Sequence, residues 1–88
     1  MNIGILEYDK EIAYQLTEII NENCPHIQVK VWERASDLKE DISDGGMYKI
    51  LFLSIEEKPE EIIEYARRLQ GLHSDIKIIY TTELTPYL

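Results

Sequence analysis

Short apolar runs alternate along the chain with amphipathic stretches whose apolar residues recur at helical spacing. The most apolar run is Lys49-Ile50-Leu51-Phe52-Leu53-Ser54-Ile55, which follows Asp44-Gly45-Gly46 and stops at Glu56-Glu57-Lys58-Pro59. Because it is apolar on both parities, it suits a strand covered on both faces, as in a parallel sheet sandwiched between helices. Open parallel sheets bind ligands beyond the carboxyl ends of their strands, so Ser54 stands where chemistry is expected.

The remaining pattern supplies the partners of that central strand. Ile3-Gly4-Ile5-Leu6 reads as a first strand, cut off by Glu7-Tyr8-Asp9, after which Ile12, Leu16, Ile19 and Ile20 mark a helix. Asp9 is suited to cap it, Glu11 lies in its first turn, and Cys24-Pro25 ends it. Ile27, Val29 and Val31 alternate with Gln28, Lys30 and Trp32, which predicts a second strand at the sheet edge. Ser36 is expected to cap a short helix carrying Leu38 and Ile42, with Asp37 in its first turn and Asp44-Gly45-Gly46 as its stop. Pro59 fits the first position of a third helix, whose Ile62, Ile63, Ala66 and Leu69 face the sheet and whose Gly71 is the expected stop. Ile76-Lys77-Ile78-Ile79-Tyr80 forms a fourth strand leading to Thr81 and Thr82. The boundaries predicted for the four strands are 2–7, 27–32, 49–55 and 76–81. A βαβαβαβ order with right-handed crossovers gives an α/β fold with a parallel sheet and helices on both faces.

Composition narrows the function. At 88 residues the chain is expected to form a single domain spanning 1–88. Seventeen acidic residues against nine basic ones give a net charge of −8, which opposes binding to nucleic acid and to anionic membrane surfaces. The single Cys24 cannot form an internal disulfide, and no leader precedes Ile3, so a cytoplasmic location is expected. No apolar run approaches the ~20 residues needed to cross a bilayer. His26 and His73 are isolated loop residues without a second ligand at metal-site spacing. Trp32 either packs over the adjacent helix or anchors a partner. The acids Glu56, Glu57, Glu60, Glu61 and Glu64 suit a solvated helix start, with a contribution to a cation site near Glu7 as the alternative.

Three segments together carry a family resemblance over the whole chain: Ile3 to Ile12, with its acidic loop, Ile50 to Ile55, and Asp75 to Thr82. In pattern and order they resemble the receiver domain of bacterial two-component response regulators, of the type often joined to a LytTR DNA-binding domain. The resemblance implies a flavodoxin-like sheet in order 2-1-3-4, here without the fifth strand and last helices of a full receiver. It also implies a carboxyl-edge pocket where an Asp accepts a phosphoryl group beside a divalent cation.

That chemistry needs a carboxylate nucleophile, two further acids to hold the cation, and a hydroxyl and a lysine to receive the phosphoryl oxygens. Ser54 stands at the position of the phosphoacceptor Asp. Glu7 matches the first acid, Tyr8 replaces the second, and Asp9 is better suited to capping the helix than to ligating a metal. Thr82 matches the switch hydroxyl, with an ordinary strand-end hydroxyl as the alternative. Pro59 falls one position later than in the family, and the lysine of the fifth strand is absent from the sequence. The expectation is thus a pseudo-receiver, incompetent in phosphorelay and not an enzyme, that acts through protein contacts. No cofactor is expected, with Mg2+ only if a residual site persists at Glu7. The alternatives are the N-terminal part of a longer regulator, or a receiver-like module that still binds phosphate or a cation. The unpaired side of the fourth strand suggests a homodimer through Ile76, Ile78, Leu84, Tyr87 and Leu88, or pairing with a signalling protein.

Overall fold

The computed structural model describes residues 1–82 of the chain. Four strands, β1 (Asn2–Leu6), β2 (Gln28–Trp32), β3 (Ile50–Ser54) and β4 (Lys77–Thr81), alternate with three helices, α1 (Lys10–Asn23), α2 (Ala35–Ser43) and α3 (Pro59–Leu72). All three pairings are parallel and the order is β2-β1-β3-β4, a flavodoxin-like α/β architecture. Ile5 lies opposite Val31 on one side and Phe52 on the other, and Phe52 in turn faces Ile79. β2 is an edge strand, as its more polar alternation predicts.

Each strand is shorter than predicted by one or two residues, because the ladder fades into single, one-sided bonds. Lys49 N–H still donates to Asn2 at 2.9 Å, Ile55 N–H to Thr81 at 3.0 Å and Glu7 N–H to Trp32 at 3.0 Å. Helix ends show larger departures. Ser36 does not cap α2: Arg34 holds the cap position, supplies no side-chain acceptor, and leaves Ser36 inside the first turn. Gly71 does not end α3, which continues through Leu72 to a cap at His73. Only a left-handed backbone would make Gly71 a stop, and among the described residues that conformation belongs to Gly45, at φ +100°, just after α2.

Alternation along β1 and β3 divides the interior in two. Leu6, Leu51 and Leu53 meet Leu38 of α2 and Ile62, Ala66 and Leu69 of α3 in the larger core. On the opposite face Ile3 and Ile5 meet Ile20 of α1, with Leu16, Ile50 and Phe52 partly buried around them. Fully burying a side chain such as Leu51 or Leu53 contributes roughly 1.5–3 kcal/mol, so the α2–α3 face carries most of the apolar stabilisation. The α1 face is thinly covered. Ile12 and Ile19, part of the repeat that marks the helix, are exposed along with Ile79, while Ala13 is buried.

Trp32 settles into the larger core rather than standing free for a partner. Its ring passes over Gly4, where an added Cβ would lie 2.5 Å from the indole and 2.7 Å from Leu51. The ring also meets Tyr48 edge-on, with centroids 5.1 Å apart. Its Nε1 donates to Asp41 Oδ2 at 3.1 Å, Tyr48 OH donates to the same oxygen at 2.8 Å, and Lys30 Nζ lies 3.3 Å away.

Candidate functional site

Parallel pairing brings the last residues of β1, β3 and β4 side by side, with Ser54 directly opposite Thr81. The candidate residues at this carboxyl edge border two clefts among those formed by the described residues. The smaller, about 70 Å³, is lined by Glu7, Tyr8, Asp9, Ile12, Glu56, Thr81 and Thr82. It thus gathers four of the five residues matched to the receiver pocket, Glu7, Tyr8, Asp9 and Thr82.

Local hydrogen bonds engage each of its carboxylates. Glu7 is only 6% exposed, and its Oε2 accepts the Asp9 N–H at 3.1 Å. Asp9 Oδ1 accepts the N–H groups of Glu11 at 3.0 Å and Ile12 at 3.2 Å, which makes Asp9 the N-cap of α1 as expected. Thr82 Oγ1 donates to Glu56 Oε1 at 2.6 Å, so the hydroxyl and the acid close on each other across the cleft mouth. Among the described residues no lysine or arginine lines this cleft. Among the described residues no group of three or more His, Cys, Asp and Glu side chains is arranged to hold a metal ion.

Ser54 borders the larger cleft instead, about 340 Å³ in volume, which lies between the starts of α2 and α3. Its walls are Leu6 and Tyr8 from the end of β1, Glu33 to Ser36 and Lys39 around the start of α2, and Ser54, Glu57, Lys58, Glu61 and Ile62 around the start of α3. Ser54 is 8% exposed and its Oγ, closed off from solvent, has no hydrogen-bond partner among the described residues. An unpaired buried hydroxyl is costly, because water would have satisfied it in the unfolded chain. Lys39 Nζ donates to Glu61 Oε1 at 3.0 Å, and Lys58 Nζ lies 3.9 Å from Glu61 Oε2. The Lys39 bond and the two lysine charges hold the Glu61 carboxyl below its ordinary range. Arg34 has no ion-pair partner among the described residues.

The basic lining of this cleft was not foreseen from sequence. Arg34 and Lys58 immediately precede Ala35 and Pro59, and a cation just ahead of each helix start was the signal to find it. Asp41 and Tyr48 were missed too, although a tryptophan expected to pack inside the fold needs an acceptor for its Nε1.

Other expected residues lie elsewhere. His73 borders an apolar cavity of about 260 Å³ at the amino end of the sheet, together with Met1, Met47, Tyr48 and Ile76. His26 is exposed in the loop before β2, and Cys24 is an exposed free thiol. On β4 and just before it, Ile78 and Ile76 pack partly against the larger core, while Ile79 and Tyr80 are 37% and 40% exposed. Leu84, Tyr87 and Leu88 lie outside the described residues. No helix is long and apolar enough to cross a membrane among those described. No family model, curated protein or solved structure matches the chain.

Proposed function

We propose that the chain is a receiver-like signalling module that has lost phosphoryl transfer and works through protein contacts. The observation that carries this is the residue at the end of β3. Ser54 presents a neutral, buried hydroxyl at the position where an acyl phosphate would require a carboxylate. The acids nearby support the same conclusion. Glu7 and Asp9 are committed to backbone N–H groups, Glu56 to Thr82, and Tyr8 stands where a second cation ligand would be. Mg2+ therefore has a poor site here, and none of these side chains is assigned a catalytic role.

Intact-mass measurement after incubation with acetyl phosphate and Mg2+ tests the loss of phosphoryl transfer. An unchanged mass is expected; a stoichiometric phosphoryl adduct overturns the proposal. Protein contact is assigned to β4, which pairs only with β3 among the described strands and exposes Ile79 and Tyr80. Such an edge accepts a further strand, from a second copy or from a signalling partner. Sedimentation of the whole chain at micromolar concentration is expected to show a dimer that Ile79→Lys weakens. A monomer at that concentration, with no effect of the substitution, removes self-association from the proposal.

A further inference from the structure

β2 closes the sheet on the side away from β4, and among the described strands it pairs with β1 alone. Gln28 N–H donates to Met1 O at 3.3 Å, and Trp32 O accepts the Glu7 N–H at 3.0 Å. Those two bonds set the parity of the strand. Gln28, Lys30 and Trp32 turn their backbone groups toward β1, so Val29 and Val31 turn theirs outward, as an open edge. Both are β-branched, a side-chain type suited to strand pairing, and Val31 is 40% exposed.

The two sides of this edge differ in chemistry. On the α1 side Val31 stands opposite Ile5, and a groove of about 250 Å³ runs beside it, walled by Ala13, Tyr14 and Thr17. The polar groups that border the groove are already engaged. Lys10 pairs with Glu33 at 3.5 Å, Glu7 accepts the Asp9 N–H, Tyr14 OH donates to Glu18 and Thr17 Oγ1 to Ala13 O. What the groove offers an incoming side chain is therefore apolar surface. On the α2 side an open cleft borders the same strand, and its wall is acidic: Asp37, Glu40, Asp41 and Asp44. Asp41 is taken up by Lys30, whereas Asp37, Glu40 and Asp44 have no ion-pair partner among the described residues. A strand laid along β2 sends its side chains alternately to the two sides, into the groove and over the acids.

We propose that the β2 edge binds a basic segment of a partner protein as an added strand, its apolar residues in the α1 groove alternating with lysines or arginines over α2. Charge complementarity selects this occupant over a second copy of the chain, whose own β2 edge would bring the same three unpaired acids against these. The surface lies at the opposite edge of the sheet from β4 and uses none of the receiver-type residues except Glu7, which only borders the groove. It thus stands or falls apart from the preceding proposal.

The test is an amide titration of the whole chain with an end-capped six-residue peptide of alternating valine and lysine, read by chemical shift and by hydrogen exchange. Saturable shifts along β2 are expected, with slowed exchange of the Val29 and Val31 amides. A peptide of the same composition in block order, three lysines then three valines, and one with glutamate in place of lysine are both expected to bind more weakly. Val31→Pro removes one outward N–H, a change that an edge strand tolerates, and is expected to abolish binding. Glu40 is exposed, so Glu40→Lys spares the fold; it is expected to weaken binding about threefold or more, and most at low salt. Binding that survives Ile79→Lys supports the β2 edge, and binding lost with that change moves the contact to β4 and overturns it. So do unslowed Val29 and Val31 amides at saturating peptide, or equal affinity for the block or glutamate peptide. Protection of those amides that grows with protein concentration without peptide assigns the edge to a second copy, and likewise overturns the proposal.

Discussion

The corner around Asp41 and the cleft beside Ser54 are both polar groups set into an apolar sheet, and they are finished in opposite ways. Around Asp41 three donors share one acceptor: the indole N–H, the Tyr48 hydroxyl and the Lys30 ammonium converge on one carboxylate oxygen. Beside Ser54, among the described residues, a hydroxyl is left without a partner, two helix starts have no side-chain cap and Arg34 has no ion pair. A satisfied buried network fixes structure, whereas a buried polar group left unsatisfied costs stability. The contrast sets a fully bonded corner under α2 against a sparsely bonded carboxyl edge.

Asp41→Ala gives the largest effect. It leaves the Trp32 Nε1 and the Tyr48 hydroxyl without an acceptor, and a loss of about 2 to 4 kcal/mol in urea unfolding is expected. A loss below about 1 kcal/mol would show that the corner is not what holds α2 to the sheet. The same network responds to pH. Burial on its own would raise the Asp41 carboxyl, but hydrogen bonds from Tyr48, Trp32 and Lys30 outweigh it and hold the carboxyl below its ordinary 3.8. A carboxyl lowered by folding contributes stability that is present above the ordinary value and lost as pH falls through the lowered one. Tyr48 carries the opposite sign. Burial, then the Asp41 hydrogen bond and charge, push it up to about 12, so its share is present below 10.0 and lost as pH rises through the raised value. Acid unfolding curves of Asp41→Asn and the native chain are expected to converge below pH 3.8; curves that stay parallel would detach the network from the acid transition.

Much of this architecture is legible in the sequence because period and punctuation agree. The two-parity run at Ile50 to Leu53, the Asp9 cap and Pro59 at a helix start each admit one local structure, and their order leaves a parallel sheet. Ser36 and Gly71 misled because cap and stop preferences are weak where the chain's direction is set by packing: Leu38 and Leu69 dock into the core and carry their helices past those signals. The receiver-type residues Glu7, Tyr8, Asp9 and Thr82 do converge on one cleft, since strand order alone brings strand ends together. Sequence did not reveal that Ser54 would border a different cleft, or that Arg34, Lys39 and Lys58 would meet there. That depends on how two helix starts separated by a strand come to lie next to each other.

The comparison is tested most directly by the stability of Ser54→Ala. Removing a buried hydroxyl that has no partner among the described residues relieves an unmet desolvation cost, so its urea unfolding is expected to match the native chain within about 1 kcal/mol or to exceed it. A loss of more than about 1.5 kcal/mol would mean that Ser54 is part of the fold's own bonding, and would contradict the contrast with the Asp41 corner.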